Sequence, residues 1–76
     1  MRIVDVWKQG KDVLAYCVGE NINMNFSCKE ISANGSTYQV AAFDILKSFN
    51  GNVSAVLKIG GVEVKDVPHG TFHIVS

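Results

Sequence analysis

Two cysteines and two histidines are the side chains in this sequence that could bind a metal ion or act as nucleophiles: Cys17, Cys28, His69 and His73. Structural zinc sites take cysteine ligands from pairs two to four residues apart, and these two cysteines are much farther apart. Histidines four apart on an extended strand are separated by ~13 Å, which argues against one shared ion. The spacing therefore favours ordinary surface or turn histidines, and we expect no metal and no cofactor.

Catalysis by either cysteine would require a nearby histidine that a third polar group orients. Neither Cys17 nor Cys28 adjoins a glycine-rich elbow or an oxyanion loop, and the carboxylates are scattered along the chain. The sequence also lacks the Gly-x-x-x-x-Gly-Lys-Ser/Thr loop that binds phosphate. Both cysteines are typical of small buried hydrophobic residues. We therefore predict that the protein is not an enzyme.

The cysteine count and the hydropathy pattern also bear on the compartment. Two cysteines are fewer than a disulfide-stabilised domain of this size normally contains. A hairpin turn at 19–21 would place Cys17 opposite residue 23 or 24, well short of Cys28. No apolar run approaches the ~20 residues that span a bilayer. We expect reduced thiols, a cytoplasmic location and no membrane association.

Length and charge limit the kinds of partner. A chain of 76 residues forms one domain, 1–76, and buries roughly 60–65% of the surface that its unfolded form exposes. Seven Lys and Arg residues balance seven Asp and Glu residues, so no net field attracts a polyanion. Strong general binding to nucleic acid is therefore not expected.

The strongest predicted strand lies in the second half of the chain, where apolar residues alternate with a period of two. The residues that share its apolar face are Val53, Ala55, Leu57 and Ile59. Gly51 before the strand and Gly60-Gly61 after it suit tight turns, because glycine takes positive φ at no steric cost. A turn at 65–68 and a closing strand at 71–76 follow.

Runs of β-branched and aromatic residues, separated by turn residues, predict the other strands. They cover 2–7, 12–18, 22–26 with a kinked continuation to 31, and 37–45. Val4 and Val6 are the predicted core pair of the first strand, and Asn34-Gly35 predicts a type I′ hairpin turn. A helix over 40–49 is an alternative, because apolar residues recur there every three residues. Six to seven short strands predict an all-β fold, a small closed or nearly closed antiparallel barrel.

The order of glycines and aliphatic residues resembles the β-barrel domain 2 of translational GTPases, such as elongation factor Tu and bacterial initiation factor two. The motifs that carry the resemblance are Gly51-Asn52-Val53, the strand from Val56 to Ile59, Gly61-Val62, and Asp66-Val67-Pro68-His69-Gly70. A weaker match covers Ile22-x-Met24-Asn25-Phe26-x-Cys28, without the turn glycine and acid of the family. Tyr16 falls near a position where many members have glycine, and His69 stands where the family usually has Arg.

The resemblance implies a docking domain that contacts a protein or ribonucleoprotein partner, because such barrels help to hold tRNA or touch the ribosome. It also implies that four residues form structural turns of the barrel: Gly51, Gly61, Asp66 and Gly70. The neutral charge and the replacement of Arg by His69 disfavour direct phosphate contact, since phosphate favours the Arg fork.

Four residues are candidates for partner binding: Trp7, Tyr16, His69 and His73. Aromatic rings are enriched at protein interfaces and also stack on bases. The strand at 12–18 is apolar on both faces, which indicates either cover on both sides or a partner surface. A homodimer through Tyr16 and this strand is therefore an alternative function. A metal protein or enzyme that uses the cysteines and histidines is a further alternative.

Overall fold

Six β-strands and one 3-10 turn make up the regular structure in a computed structural model that describes all 76 residues. In chain order the strands are β1 (Arg2–Gln9), β2 (Asp12–Val18), β3 (Glu30–Ala33), β4 (Ser36–Lys47), β5 (Val53–Ile59) and β6 (Gly70–Ile74). The 3-10 turn (Val64–Asp66) lies between β5 and β6. The strands form a closed barrel in the order β1-β2-β5-β4-β3-β6, and every pairing is antiparallel. The predicted small antiparallel barrel is therefore confirmed.

The barrel has two unequal walls. The four-stranded wall consists of β1, β2, β5 and residues 42–47 of β4. The three-stranded wall consists of β3, β6 and residues 36–39 of β4. Between β1 and β6 the ladder is very short, with Arg2 opposite Thr71 and Ile3 opposite Gly70. Long ladders thus build one wall, and short ladders close the barrel.

Strand β4 belongs to both walls. Its register against β5 shifts between Val40 and Ala42, and a shift of this kind bends a strand. The backbone N–H of Val40 donates to the carbonyl of Lys29 at 2.9 Å, on the side of the three-stranded wall. The alternative helix over 40–49 is wrong, because pairing with β5 gives this segment its hydrogen bonds.

The hairpin between β3 and β4 follows the sequence prediction. Asn34 and Gly35 have φ angles of 55° and 83°, the positive values that a type I′ turn requires. Ala33 and Ser36 pair directly across this turn. The Asn-Gly signal therefore positions the two strands that begin the three-stranded wall.

A bulge in β1 overturns part of the predicted core. Ile3 pairs with Cys17 and Asp5 pairs with Tyr16, so Val4 is an extra residue in the ladder. The Asp5 carboxylate accepts a hydrogen bond from the N–H of Val6 at 2.9 Å. Because the extra residue reverses the alternation, Ile3 and Val6 are buried and Val4 is exposed. The prediction of Val4 and Val6 as the core pair is therefore wrong for Val4.

The segment 19–29 is not a strand, although its apolar residues alternate. The N–H of Ile22 donates to the carbonyl of Gly19 at 3.1 Å, and that of Phe26 donates to Asn23 at 2.9 Å. These consecutive turns bury Ile22 and Phe26 but leave Met24 exposed. The predicted strand at 22–26 is wrong, and so is the placement of Cys17 opposite residue 23 or 24. Strand β2 pairs with β1 and β5 instead.

The barrel interior is entirely apolar, and none of its buried residues is polar or charged. The largest fully buried side chains are contributed by both walls: Phe72, Ile3, Ile31, Leu57 and Cys17. No helix in this chain has both the length and the apolar composition needed to cross a membrane. Since the interior is filled, any binding site has to lie on the outside of the barrel or at its ends.

Candidate functional site

The outer surface of the four-stranded wall carries a group of apolar side chains that we call the apolar outer face. Its members are Trp7 on β1, Leu14, Tyr16 and Val18 on β2, Leu46 on β4 and Val56 on β5. Neighbouring strands bring them together, because Trp7 pairs with Leu14 and Tyr16 pairs with Val56. Cross-strand partners share one side of a sheet. The alternate residues of β2 and β5 point inward and form the core.

The aromatic residues of this face are half-buried rather than free in solution. Trp7 and Tyr16 both keep part of their surface exposed, and the register places Asp5, rather than Trp7, directly opposite Tyr16. Trp7 and Tyr16 are therefore diagonal neighbours across the β1–β2 ladder. Such rings offer a large contact area with few rotatable bonds, so ordering them on binding costs little entropy.

Charged residues border the apolar outer face on two sides. Asp5 pairs with Tyr16, and Asp44 pairs with Val56, so acidic groups stand at both ends of this row. Lys58 pairs with Leu14 and forms an ion pair with Asp12, with Nζ and Oδ2 separated by 3.4 Å. Both of its members are well exposed, so this pair adds little stability. The border of the face is thus mainly acidic.

An open cleft adjoins one end of the apolar outer face. It has a volume of about 690 Å³ and lies where the loops after β2 and after β4 meet. The residues that line it include Tyr16, Val18, Ile22, Asn23, Ser48 and Asn52. No lysine, arginine or histidine lines the cleft, so it lacks the cations that bind phosphate groups. Tyr16 belongs both to this cleft and to the outer face.

The two histidines lie elsewhere on the barrel. His69 is exposed in the bend before β6, and His73 is exposed on β6, where it pairs with Ser32 of β3. Both therefore belong to the side of the three-stranded wall, away from Trp7 and Tyr16. The structure brings together the two aromatic candidates for partner binding, but it does not bring the two histidines to them.

The predicted turn residues shape the ends of the strands. Gly51, Gly61 and Gly70 all have positive φ, at 86°, 70° and 111°. The Asp66 carboxylate accepts a hydrogen bond from the N–H of Glu63 at 3.1 Å, across the 3-10 turn. The carbonyl of Asp66 accepts a second bond from the Tyr38 hydroxyl at 2.9 Å. This second bond ties the corner before β6 to β4, and the sequence had no signal for it.

The two thiols are poor nucleophiles in this fold. Burial, followed by the neighbouring Cys28, raises the pKa of Cys17 from 9.0 to about 12, against a smaller lowering by the N-terminal amine. Burial also raises the pKa of Cys28. Both cysteines are free and buried. Because the thiolate is the reactive form, neither side chain is activated for catalysis. No group of three or more His, Cys, Asp or Glu residues is arranged to hold a metal ion.

Leu14, Val56 and Leu46 are members of the apolar outer face that sequence reasoning did not single out. The available signal was the run of apolar residues on both faces of the strand at 12–18. The missing information was the strand order, which places β5 rather than β3 beside β2. Comparisons with protein-family models, curated proteins and solved structures found no match. Fold and surface therefore define the class: a small closed β-barrel with one apolar outer face.

Proposed function

We propose that this protein is a non-enzymatic docking module that binds a protein or ribonucleoprotein partner through the apolar outer face. The observation that carries the proposal is the side-by-side arrangement of Trp7, Leu14, Tyr16 and Val56 on the outside of one wall. A small barrel does not need these side chains for its core, because the inward residues of the same strands already fill it. Contiguous exposed apolar surface commonly marks an interaction site.

The chemistry of the face favours a partner with apolar side chains and adjoining basic groups. Half-buried aromatic rings are the residues that most often dominate binding energy at interfaces. Asp5 and Asp44 stand at opposite ends of the row through Tyr16 and Val56, where they can attract lysine or arginine of the partner. Basic ribosomal or tRNA-binding proteins fit this pattern better than bare RNA, whose phosphates the two carboxylates repel.

The resemblance to domain 2 of translational GTPases supports the same function, because those barrels act as docking surfaces beside a nucleotide-binding domain. A closed antiparallel barrel is what the resemblance implies, and the turn glycines Gly51, Gly61 and Gly70 adopt positive φ. Two free cysteines are in keeping with our proposal of a cytoplasmic protein. The high pKa of Cys17 supports the assignment as a non-enzyme.

The experiment that tests the proposal is capture of partners from a lysate of the source cells, with and without ribonuclease, followed by titration of the purified partner. Tyr16→Ser removes the ring at the centre of the face, and we expect it to weaken binding by tenfold or more, as at other interface hot spots. His73→Ser changes an exposed residue on the other wall and serves as the matched control. Circular dichroism checks that both variants remain folded.

The outcomes separate the candidate functions. Loss of binding in Tyr16→Ser but not in His73→Ser supports docking on the apolar outer face. Sensitivity to ribonuclease identifies the partner as a ribonucleoprotein, and resistance identifies it as a protein. Equal binding by wild type and Tyr16→Ser would overturn the proposal. Capture of further copies of this chain alone, through Tyr16, would support the alternative homodimer on the same face.

A further inference from the structure

Strand β4 is open along half of one edge. Residues 36–39 pair with β3 on one side, and the N–H of Val40 makes the last bond to that side. From Ala42 to Lys47 the strand pairs with β5, and no strand lies along its other side. The barrel is closed in strand order, but its seam between β3 and β4 covers only the first part of β4.

The direction of the backbone groups follows from one hydrogen bond. The N–H of Ser48 donates to the carbonyl of Asn52 at 2.9 Å, in the same register as the pairs of β4 with β5. In an antiparallel ladder, alternate residues point their N–H and C=O groups toward the partner strand. Leu46 and Asp44 therefore point theirs toward β5.

The residues between these positions point their backbone groups to the open side. They are Phe43, Ile45 and Lys47, and none of them takes part in the hydrogen bonds of turns and loops. The Phe43 ring packs edge-on against Phe26, with centroids 5.6 Å apart, which holds the strand in place from the inside. An ordered strand with a row of free donors and acceptors is a template for another strand.

We propose that the occupant of this edge is the β4 edge of a second copy of the chain, in antiparallel orientation with Ile45 on the two-fold axis. In this register Ile45 lies opposite Ile45 of the second copy, and Phe43 lies opposite its Lys47. Each of these pairs exchanges both hydrogen bonds, because the free groups of the two strands face one another. An isologous contact of this kind closes as a dimer.

The side chains fit this register and disfavour its neighbours. Asp44 lies opposite Leu46 of the second copy, so no two like charges are paired. Centring the axis on Lys47 would place two lysines opposite each other, and centring it on Asp44 or Leu46 would use backbone groups already bonded to β5. The proposed register also directs the fully exposed Phe49 toward Ala41 of the second copy, which is exposed and small.

This pairing is independent of docking at Tyr16, because it uses the edge of the four-stranded wall rather than its outer surface. It would extend that wall into a continuous sheet across two barrels and leave Trp7, Leu14 and Tyr16 free on both. An extended peptide of another protein could use the same backbone groups, but it would not need the symmetric charge pattern around Ile45.

Sedimentation equilibrium of the full chain over micromolar to millimolar concentrations tests the proposal, with a pair of matched substitutions. Leu46→Asp places two carboxylates opposite each other on both sides of the axis, whereas Leu46→Lys pairs each lysine with Asp44. Both variants lose the same apolar group from an exposed position. We expect the dimer of Leu46→Asp to be about tenfold weaker than that of Leu46→Lys.

A backbone variant gives a second measurement. Lys47→Pro removes one free N–H at an edge position that tolerates proline, and Lys47→Ala keeps this donor. We expect Lys47→Pro to lose the dimer and Lys47→Ala to retain it, with unchanged circular dichroism for both. Amide exchange at Phe43, Ile45 and Lys47 should slow as the wild-type concentration rises. A wild-type monomer at millimolar concentration, or equal dimerisation of Leu46→Asp and Leu46→Lys, would overturn the proposal.

Discussion

The two walls of this barrel differ in ladder length and in the surface that they present. In the four-stranded wall, β1 has 8 residues and β2 and β5 have 7 each, and the outer face is largely apolar. In the three-stranded wall, β3 has 4 residues and β6 has 5, and the outward residues include Ser32, Thr71 and His73. One wall thus combines long ladders with a sticky exterior, and the other closes the barrel with a polar exterior.

The difference shows how a short chain can close a barrel with unequal parts. Long ladders hold the four-stranded wall through many backbone hydrogen bonds. The three-stranded wall has few, so its stability depends more on buried side chains, above all Phe72 and Ile31, both of which are fully buried. The seam between β1 and β6 is the shortest ladder that closes the barrel. We therefore expect local opening to begin at β6.

The largest effect is expected from removing the ring that anchors the three-stranded wall. Phe72→Ala should lower the free energy of unfolding by ~3–5 kcal/mol, because it deletes a fully buried aromatic side chain and leaves a cavity. Leu57→Ala in the four-stranded wall is the matched control, with an expected loss of ~2–5 kcal/mol. Urea denaturation measures both losses.

Hydrogen exchange adds the local part of this comparison. In Phe72→Ala, the amides of β3 and β6 should lose more protection than those of β2 and β5. In Leu57→Ala, protection should fall throughout the barrel. An equal loss of protection in both walls of Phe72→Ala would show that the walls unfold as one cooperative unit.

A pH dependence is expected from Cys17, which lies in the four-stranded wall. Its pKa is about 12 in the fold and 9.0 as the ordinary value, so the unfolded chain releases this proton first as the pH rises. The contribution of this group to stability is therefore fully present below pH 9 and falls between pH 9 and about 12. Urea midpoints from pH 7 to 11 measure the decline. Cys17→Ala should flatten the curve, and parallel curves for the two proteins would contradict the assignment.

The smallest effect concerns a single hydroxyl group between β4 and the corner before β6. Tyr38→Phe removes the bond from the hydroxyl to the Asp66 carbonyl and should cost ~0.5–1.5 kcal/mol. Tyr16→Phe is the matched control in the other wall, because the Tyr16 hydroxyl donates no hydrogen bond within the protein. It should change stability by less than ~0.5 kcal/mol. Thermal and urea denaturation compare the two, and equal effects would show that the Tyr38 bond does not stabilise the corner.

Local signals predicted much of the fold because they depend on neighbours in sequence. The alternation from Val53 to Ile59 specifies a strand whatever it pairs with, and Asn34-Gly35 specifies a turn through its own backbone preferences. The same kind of signal failed at Val4 and over 22–26. A bulge and a pair of turns each bury apolar residues at spacings that resemble regular alternation, so pattern alone does not distinguish them from a continuous strand.

The candidate site was less predictable than the fold. Trp7 and Tyr16 were expected to contact a partner, and the structure places them on one face. Leu14 and Val56 join them only because β5 lies beside β2, a neighbour relation between segments far apart in the chain. The histidines were candidates by residue type alone, and they lie on the other wall.

By itself, the sequence determined the class of fold, the hairpin at Asn34-Gly35 and the absence of net charge, because each depends on composition or on residues close in the chain. Only the tertiary structure decided which strands became neighbours. That choice created the apolar outer face, left half of the β4 edge open and raised the pKa of Cys17. The physical reason is that burial, cross-strand contacts and unpaired edges are properties of segments brought together by folding, and no local pattern specifies them.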